Sequence, residues 1–341
     1  MKQVYINGIG VVIPGASELE ELWCLLEEKQ TINEAKIQEI PPFISSRKTR
    51  RMDRLSVMAL YGIYSVFKDL NKIKADLDPY EVGTIYNTDI GPLKTVLEFA
   101  SSISEESEIE PSPVVFANTV MNACVGHLCI ELGLKGVSTV MIGSNYVGYA
   151  MQLIQRGSAK RIVTGGLDEY LQELFDILND RGIVAREGVS TIILADERNS
   201  DSFCEVVAYS EVNLNAHYCF DVGFKPNPDY IQKAMSNVLE KANLDASHID
   251  AVITASDNQD FTNTEIAVIH DIFGDNIPIL HPKYILGELI GASLGINLTV
   301  GALALKKQKL PLLADSNKQL EYVLVNDFNI SGNYTSFILK R

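Results

Sequence analysis

The sequence predicts an α/β fold in which largely parallel sheets are covered by helices. Apolar segments of strand length alternate with segments of helical periodicity along the whole chain, and this alternation is typical of such folds. Two of the strand-like segments, 161–166 (RIVTGG) and 191–194 (TIIL), are mostly apolar, as expected of buried strands. The 341 residues, 46% of them hydrophobic, are enough for a large core in one big or two fused domains.

Local patterns predict the individual elements of the first 200 residues. An apolar run broken by glycines, 4–13 (VYINGIGVVI), predicts the first strand, which Pro14 and Gly15 close. Gly136, after Lys135, is expected to cap the end of an apolar helix. The further elements of this half are helices at 19–28, 54–70 and 122–134 and strands at 82–86, 161–166 and 191–194.

The pattern restarts after a polar linker at 198–201 (RNSD). The second half is predicted to contain helices at 228–242, 264–273 and 290–306 and strands at 203–210, 251–254, 322–328 and 336–339. We therefore predict two halves, residues 1–200 and 201–341. Their similar alternation is compatible with an internal duplication, although the sequence similarity between them is weak.

Composition argues against several classes of function. The formal charge of −15 makes the surface acidic, and such a surface repels nucleic acid, anionic membranes and acidic carrier proteins. No apolar run approaches the roughly 18 residues of a membrane span, and residues 1–10 do not look like a secretory signal. The five cysteines form no CxxC pair and the five histidines are scattered. We therefore predict a cytoplasmic protein with reduced thiols and with neither a metal nor another cofactor.

Several motifs along the chain match those of a known family. Residues 117–141 (ANTVMNACVGHLCIELGLKGVSTVM) follow the pattern PSTxxNxxAGHLxxxxGLRGPSxxx nearly position by position. In this they resemble the β-ketoacyl-acyl-carrier-protein synthases, which have the thiolase fold. Similar matches occur at 4–14 (VxITGxGxVxP), 51–53 (RMD), 165–169 (GGxDE), 182–188 (DGFVxGEGA), 283–292 (KxxxGHxxGAAG) and 325–332 (VNSFGFGG). The resemblance covers nearly the whole chain and implies two pseudo-duplicated halves layered α-β-α-β-α, although the chain is shorter than typical members.

The same resemblance implies where the catalytic groups of a condensing enzyme would lie. Decarboxylative Claisen condensation needs a cysteine thiolate at a helix N-terminus and two histidines that donate to the enolate. Motif counting places Asn145, or its neighbour Ser144, at the cysteine position. Thr254 falls at the first histidine, as judged from its spacing of eleven residues to Glu265. Neither catalytic residue type is therefore present at its position.

The second histidine and a gating phenylalanine are also replaced. Glu288 stands at the histidine position in KYILGE, where its carboxylate would repel an enolate. The lysine of that motif remains as Lys283, and Ile330 takes the position of the phenylalanine. Because the cysteine and both histidines are missing together, the resemblance implies lost condensation chemistry rather than a variant mechanism.

Ser144 also allows a different interpretation. A serine at a helix N-terminus can be a hydrolase nucleophile, as in GxSxG turns. The segment IGSNY lacks the second glycine, however, and no histidine lies at a family-matched position to act as its base. We therefore interpret Ser144 or Asn145 as the cap of the helix that follows.

Other polar side chains are interpreted as structural. His127 is predicted to be a hydrogen-bonded core or interface residue, and Cys124 and Cys129 on the same helix are predicted to be buried packing. Lys283 and Glu288 could form either a buried or a surface ion pair, and the sequence leaves both open. A solvated loop and a helix N-terminus would explain the carboxylates Asp257, Asp260 and Glu265.

Residues 116–122 lie at the dimer interface in the resembled family, where side chains line the acyl tunnel. Val120 stands at the position that limits chain length there, so we expect it to set the depth of a pocket. Phe116, Thr119 and Met121 are its expected companions. Ordinary interface packing is the alternative interpretation of these residues.

Taken together, the resemblance implies a catalytically silent ketosynthase-like subunit, similar to a chain-length factor. Such a subunit pairs with an active ketosynthase in type II polyketide, polyene or fatty-acid-like biosynthesis and shapes the acyl tunnel of the pair. Acyl carrier protein would reach it only through the partner, because both surfaces are acidic. Two alternatives are an independent acyl hydrolase or transferase that uses Ser144, and a non-catalytic acyl-binding homodimer.

Overall fold

The computed structural model describes residues 2–30, 32–38, 46–66, 77–104, 110–143, 145–214, 226–256, 259–311 and 319–341. The strands are β1 (Tyr5–Val12), β2 (Val82–Thr88), β3 (Ser138–Ile142), β4 (Arg161–Asp168), β5 (Gly188–Ala195), β6 (Cys204–Asn213), β7 (Ala251–Ile253), β8 (Ile279–Leu280), β9 (Tyr322–Phe328) and β10 (Asn333–Lys340). The helices are α1 (Leu19–Glu28), α2 (Ser46–Thr49), α3 (Arg54–Val66), α4 (Leu93–Ser102), α5 (Pro113–Ala117), α6 (Ala123–Leu132), α7 (Tyr146–Gln155), α8 (Gln172–Asp180), α9 (Pro228–Ala242), α10 (Gln259–Phe273), α11 (Lys283–Leu286) and α12 (Ser293–Lys307).

The strands form a ten-stranded sheet in the order β3-β2-β4-β5-β1-β6-β10-β9-β7-β8. Its two halves meet at β1 and β6, which share only the pairs Tyr5–Glu205 and Ile6–Cys204. Each half contributes five strands. Read from the outer edge toward the middle, the order is β3-β2-β4-β5-β1 in the first half and β8-β7-β9-β10-β6 in the second, so both halves have the same order. This equality is the mark of a duplicated unit. We propose that the boundary between residues 1–200 and 201–341 lies in the connection from β5 to β6.

The prediction of largely parallel sheets is wrong for the middle of the sheet. From β4 to β9, each pair of neighbouring strands is antiparallel, and parallel pairs occur only toward the two ends of the described sheet. All residues of β5 are buried, so the strand lacks the polar alternation that is typical of an antiparallel strand with one exposed face. Helices α3 and α12 both pack against it, so the cover on its two faces, and not the strand direction, removes the alternation.

Helices and strands form the α-β-α-β-α layers that the resemblance implies. Every residue of α12 from Ser293 to Leu305 is buried, as expected of a helix enclosed on all sides. This helix contacts β4 and β5 of the first half as well as β9 and β10 of the second, so it lies in the central layer. α3 covers the outer face of the first half, and α9 covers that of the second. Within the described ranges, no helix is long and apolar enough to cross a membrane.

Most predicted boundaries agree with the structure within a few residues, and the exceptions have local causes. α6 ends at Leu132 and is capped by Gly133, whose φ is 62°, so the predicted cap at Gly136 is wrong. Gly136 instead lies against the backbone of Val82, where a β-carbon would be 2.5 Å from the carbonyl oxygen. α10 begins at Gln259, earlier than the predicted 264, and the part of the 54–70 helix beyond Val66 lies outside the described residues.

Candidate functional site

Asn145 lies at the N-terminus of α7, directly after the turn that follows β3. Gly143 makes this turn with a φ of 56°, a conformation that favours glycine. The Oδ1 atom of Asn145 accepts a hydrogen bond from Gly148 N at 2.7 Å, and the residue is only 5% exposed. The prediction of a helix cap is thus confirmed for Asn145. Ser144, the alternative candidate, lies outside the described residues.

Thr254 follows β7 and is completely buried. Its backbone N donates to Leu280 O at 3.0 Å, and its Oγ1 lies 2.9 Å from Nδ1 of His281. Because β8 pairs in parallel with β7, the two residues that follow these strands come together. Burial lowers the pKa of His281, so the imidazole is neutral at neutral pH and can pair with the hydroxyl. The family-matched counting did not anticipate a histidine at this place.

Glu288 belongs to a buried charged group centred on Lys283. The Nζ of Lys283 lies 2.7 Å from Glu288 Oε2 and 3.3 Å from Asp327 Oδ1, and it also donates to the carbonyl of Phe328 at 2.9 Å. The other oxygen of Glu288 accepts from Ile290 N at 2.7 Å. The pair left open by the sequence is therefore buried. Burial raises the pKa of Asp327 to about 6, although Lys283 opposes this shift.

Asp168 joins three segments at the end of β4. Its carboxylate accepts from the backbone N of Asp89 at 2.9 Å, of Ile90 at 3.0 Å and of Gly291 at 2.9 Å, and from the hydroxyl of Thr88. Burial and the charge of Asp168 raise the pKa of Asp89 to about 7. Burial raises the pKa of Asp168 as well, but its four donors favour the carboxylate. Asp89 therefore has the higher pKa of the two carboxyl groups.

The three replaced positions converge on one region. Asn297 connects Thr254 to the charged group that contains Glu288. Its Nδ2 lies 3.4 Å from Thr254 O and 3.2 Å from Oδ1 of Asp327, which pairs with Lys283. Asp327 also lines a cavity beside Asn145, whose volume is about 10 Å³. The cavity is lined by Asn87, Asp89, Asn145, Tyr146, Ile290, Gly291, Leu294, Asp327, Asn329 and Thr335. It has the size of one water molecule, so no acyl chain fits there.

The predicted tunnel residues lie on the surface of the single chain. Phe116 is 59% and Val120 is 51% exposed, whereas Thr119 and Met121 are half-buried. The ring of Phe116 lies 5.1 Å from that of Phe99, centroid to centroid, on the neighbouring α4. A tunnel at these residues would therefore need a partner's surface to close it. Ile330 is half-buried in the connection from β9 to β10 and packs against the core of the second half.

The interpretation of Glu265 as a solvated carboxylate is wrong. The side chain is completely buried and accepts from Ala255 N at 2.9 Å, Ser256 N at 3.0 Å and Tyr334 Oη at 2.6 Å. The reason is the earlier start of α10, which places Glu265 inside the helix instead of at its exposed first turn. Asp260 is exposed, as expected, and Asp257 lies outside the described residues.

The structural interpretation of the GHL segment is confirmed for His127 and Cys124, whereas Cys129, predicted to be buried, is only half-buried. His127 Nε2 lies 3.0 Å from Asn118 Oδ1, and Asn118 also donates to the carbonyl of Arg51 at 2.9 Å. Cys124 is buried, and this burial raises the pKa of its thiol. Cys129 is half-buried against the same core, with its sulfur 3.6 Å from Ser138 Oγ. These groups hold α6 against α3 and β3.

Comparison with known proteins gives one consistent result. No family model matches the chain. The 3-oxoacyl-[acyl-carrier-protein] synthase 2 of Synechocystis sp. is 24% identical over 414 residues, covering 100% of this chain and 98% of the relative. The synthase 2 of Staphylococcus aureus is 22% identical over 365 residues, covering 91% of this chain and 87% of the relative.

Solved structures agree on the architecture. A β-ketoacyl synthase from Burkholderia phymatum has a TM-score of 0.80 at 19% identity, with 100% of both chains covered. The fold is that of the ketosynthases. The ishigamide ketosynthase/chain length factor has a TM-score of 0.82 at 20% identity over 99% of both chains. A ketosynthase in complex with its chain length factor from Xenorhabdus doucetiae has a TM-score of 0.79 at 16% identity, covering 99% and 98% of the chains.

Within this ketosynthase fold, sequence reasoning missed two polar partners. Asp89 directly follows β2, and Asp168 ends β4, its parallel neighbour, so both carboxylates lie at the same edge of the sheet. The sequence carries that signal only if the pairing of β2 with β4 is already known. His281 follows β8 in the same way that Thr254 follows β7, and a two-residue strand gives no periodicity from which to predict it.

The buried carboxyl groups predict an unusual dependence of stability on pH. Folding raises the pKa of Asp89 to about 7 and that of Asp327 to about 6, above the value of about 3.9 in an unfolded chain. The folded state therefore binds these protons more tightly. The stabilisation is complete below pH of about 4 and is lost as the pH rises through 6 and 7. Between pH 5 and pH 8 we expect the melting temperature, measured by scanning calorimetry, to fall by about 5 °C.

A matched variant isolates the contribution of Asp89 to this dependence. Asp89→Asn keeps the shape of the side chain but carries no titratable group, so the fall from pH 5 to pH 8 should be smaller. A melting temperature that rises over this interval, or a variant with the same slope as the natural chain, would show that Asp89 is already ionised in the folded protein.

Proposed function

We propose that the chain is a catalytically silent ketosynthase-like subunit, which pairs with an active β-ketoacyl-acyl-carrier-protein synthase and shapes the acyl tunnel of the pair. One observation carries this proposal. The side chains at the three positions that match the family's Cys-His-His are each engaged in structure. Asn145 caps α7, Thr254 bonds to His281, and the charge of Glu288 is balanced by Lys283. These side chains include neither a thiolate nor an imidazole.

The surface around β3 supports a partner. β3 is an outermost strand and carries no charged residue, although exposed edge strands in stable monomers are commonly protected by charges. Apolar side chains are also exposed on α6, which contacts β3, and on α4 and α5, which contact each other. They include Leu97 on α4, Val114 and Phe116 on α5, Val120, Ile130 on α6 and Ile142 on β3 itself. An apolar surface of this kind marks an interface between proteins.

The comparisons support an active ketosynthase as that partner. Two structures of the same fold are described as a ketosynthase/chain length factor and as a ketosynthase in complex with its chain length factor. A chain without the catalytic triad can contribute to condensation only beside a copy that has it. Phe116 and Val120 would then complete a tunnel whose reacting end lies in the partner, because the cavity beside Asn145 is about 10 Å³.

Charge favours indirect contact with the carrier protein. The chain carries a formal charge of −15, and carrier proteins are acidic, so the two surfaces repel each other. We therefore propose that the carrier protein docks on the active partner.

Co-expression tests the proposal. The chain is produced together with the ketosynthase encoded nearest to it, only one of the two is tagged, and the purified material is analysed by size-exclusion chromatography and mass measurement. A one-to-one complex is expected, and its condensation activity should disappear when the partner's catalytic cysteine is replaced. A homodimer that ignores the ketosynthase would refute the pairing. Activity that persists without the partner's cysteine would refute catalytic silence.

One substitution locates the proposed interface. Ile142→Lys places a charge on β3, where the isoleucine is 57% exposed, and burying that charge without a counter-ion is costly. We expect the dissociation constant of the heterodimer to rise by about 100-fold or more, measured by titration of the separated subunits. The matched control is Ile177→Lys on α8, where the isoleucine is 44% exposed and lies outside the apolar surface. Equal losses in both variants would place the interface elsewhere.

A further inference from the structure

Two side chains that line the cavity beside Asn145 each carry a buried polar atom with no protein partner among the described residues. The two atoms are Nδ2 of Asn145 and Oδ2 of Asp89. In each side chain the other atom is already engaged. Asn145 Oδ1 accepts from Gly148 N at 2.7 Å, and Asp89 Oδ1 accepts from the Nδ2 of Asn87 at 2.9 Å. Both side chains line the cavity.

The chemistry of these atoms restricts what the cavity can hold. Asn145 Nδ2 is a donor, and a donor repels a metal ion or an ammonium group. Asp89, Asp168 and Asp327 repel an anion, because they bring carboxyl groups to the same region. The volume of about 10 Å³ excludes anything larger than one water molecule. A neutral molecule that both donates and accepts satisfies all three conditions.

We propose that this cavity is a binding site for one water molecule, which accepts a hydrogen bond from Asn145 Nδ2 and is hydrogen-bonded to Asp89 Oδ2. The water links the first turn of α7 to the segment that follows β2. In this way the water occupies the region that motif counting matches to the nucleophile site of the ketosynthases. The inference rests on the two side chains and the cavity alone, and it does not depend on a ketosynthase partner.

Water also fits both protonation states of Asp89. Burial and the charge of Asp168 raise the pKa of Asp89 to about 7, so the acid and the carboxylate are both populated near neutral pH. Water donates to the carboxylate and accepts from the acid, and its remaining lone pair still receives the Asn145 N–H. The site can therefore stay occupied on both sides of this pKa.

Crystal structures of the full chain at pH 5 and pH 8, at a resolution that shows ordered water, test the inference. We expect one spherical density peak in both, at about 2.7–3.2 Å from Asn145 Nδ2 and Asp89 Oδ2. An empty cavity would overturn the inference. So would a peak with contacts of about 2.0–2.6 Å to oxygen atoms alone, which identifies a metal ion, or a density larger than one atom.

Two variants at one position separate the water from simple packing. Asp89→Asn keeps a polar atom at the position of Oδ2, so its crystals should still contain the water. Asp89→Leu has a similar size but no polar atom there, so the water should be lost and the melting temperature should fall below that of Asp89→Asn. A water that persists in Asp89→Leu, or its absence from Asp89→Asn, contradicts the assigned contact. If Asp89→Leu does not fold, the crystals of the natural chain and of Asp89→Asn still decide the question.

Discussion

Replacing Lys283 by methionine is expected to lower the free energy of unfolding by about 3–5 kcal/mol. The Lys283 side chain is 3% exposed and lies between two carboxylates, Glu288 at 2.7 Å and Asp327 at 3.3 Å. Methionine fills nearly the same volume but carries no charge. It leaves Glu288 and Asp327 buried beside each other without a cation, and it removes the hydrogen bond from Lys283 Nζ to the carbonyl of Phe328. Urea titration followed by circular dichroism measures the change.

The matched control is Lys309→Met. Lys309 also pairs with a glutamate, Glu27 at 2.9 Å, but the two side chains are 42% and 33% exposed. Solvent screens this pair, so we expect its loss to cost less than about 1 kcal/mol. If both lysine variants lose the same small amount, the charge at Glu288 is neutralised by a proton and not by Lys283.

Replacing Gly166 by alanine is the second substitution with a large expected effect. A β-carbon at this position would lie 1.9 Å from the carbonyl oxygen of Gly291 and 2.9 Å from the hydroxyl of Tyr146. Neither neighbour can move freely, because the N–H of Gly291 bonds to Asp168 and Tyr146 is 1% exposed. We expect a loss of more than about 3 kcal/mol in the free energy of unfolding, from overpacking and from the broken contact with Asp168.

For Gly126→Ala, measured in the same way, we expect the free energy of unfolding to rise instead of fall. Gly126 lies within α6, and an added β-carbon there meets no atom within 4 Å. Alanine should stabilise the helix by about 0.5–1 kcal/mol, because it restricts the unfolded chain more than glycine does. A small loss in Gly166→Ala, comparable in size to the change in Gly126→Ala, would mean that β4 can shift away from Gly291.

Local patterns predicted most of the helices and strands but not the direction of the strands. α1, α9 and β9 have the predicted bounds, because apolar spacing and caps are properties of neighbouring residues. The antiparallel pairs in the middle of the sheet could not be predicted in this way. β5 is buried on both faces, so its sequence lacks the alternation of polar and apolar residues. The sequence of such a strand does not indicate whether its neighbours are parallel or antiparallel.

For the candidate site, the sequence by itself determined which residue types stand at the positions found by motif counting. The turn after β3 contains no cysteine, motif counting places Thr254 and Glu288 at the histidine positions of the resembled family, and the overall charge is −15. These are statements about residue identity at positions in a motif, and no folding is needed to make them. The N-cap role of Asn145 was equally accessible, since capping involves residues three apart in the chain.

Only the tertiary structure decided what these side chains do instead. Asp89 and Asp168 meet because β2 pairs with β4, and Thr254 reaches His281 because β7 pairs with β8. Burial then gives these contacts their chemical consequences. It raises the pKa of Asp89 to about 7. It also makes the loss of the ion pair between Lys283 and Glu288 costly to the stability of the folded protein. Burial depends on packing between residues far apart in the chain, and for that reason the sequence pattern alone could not determine it.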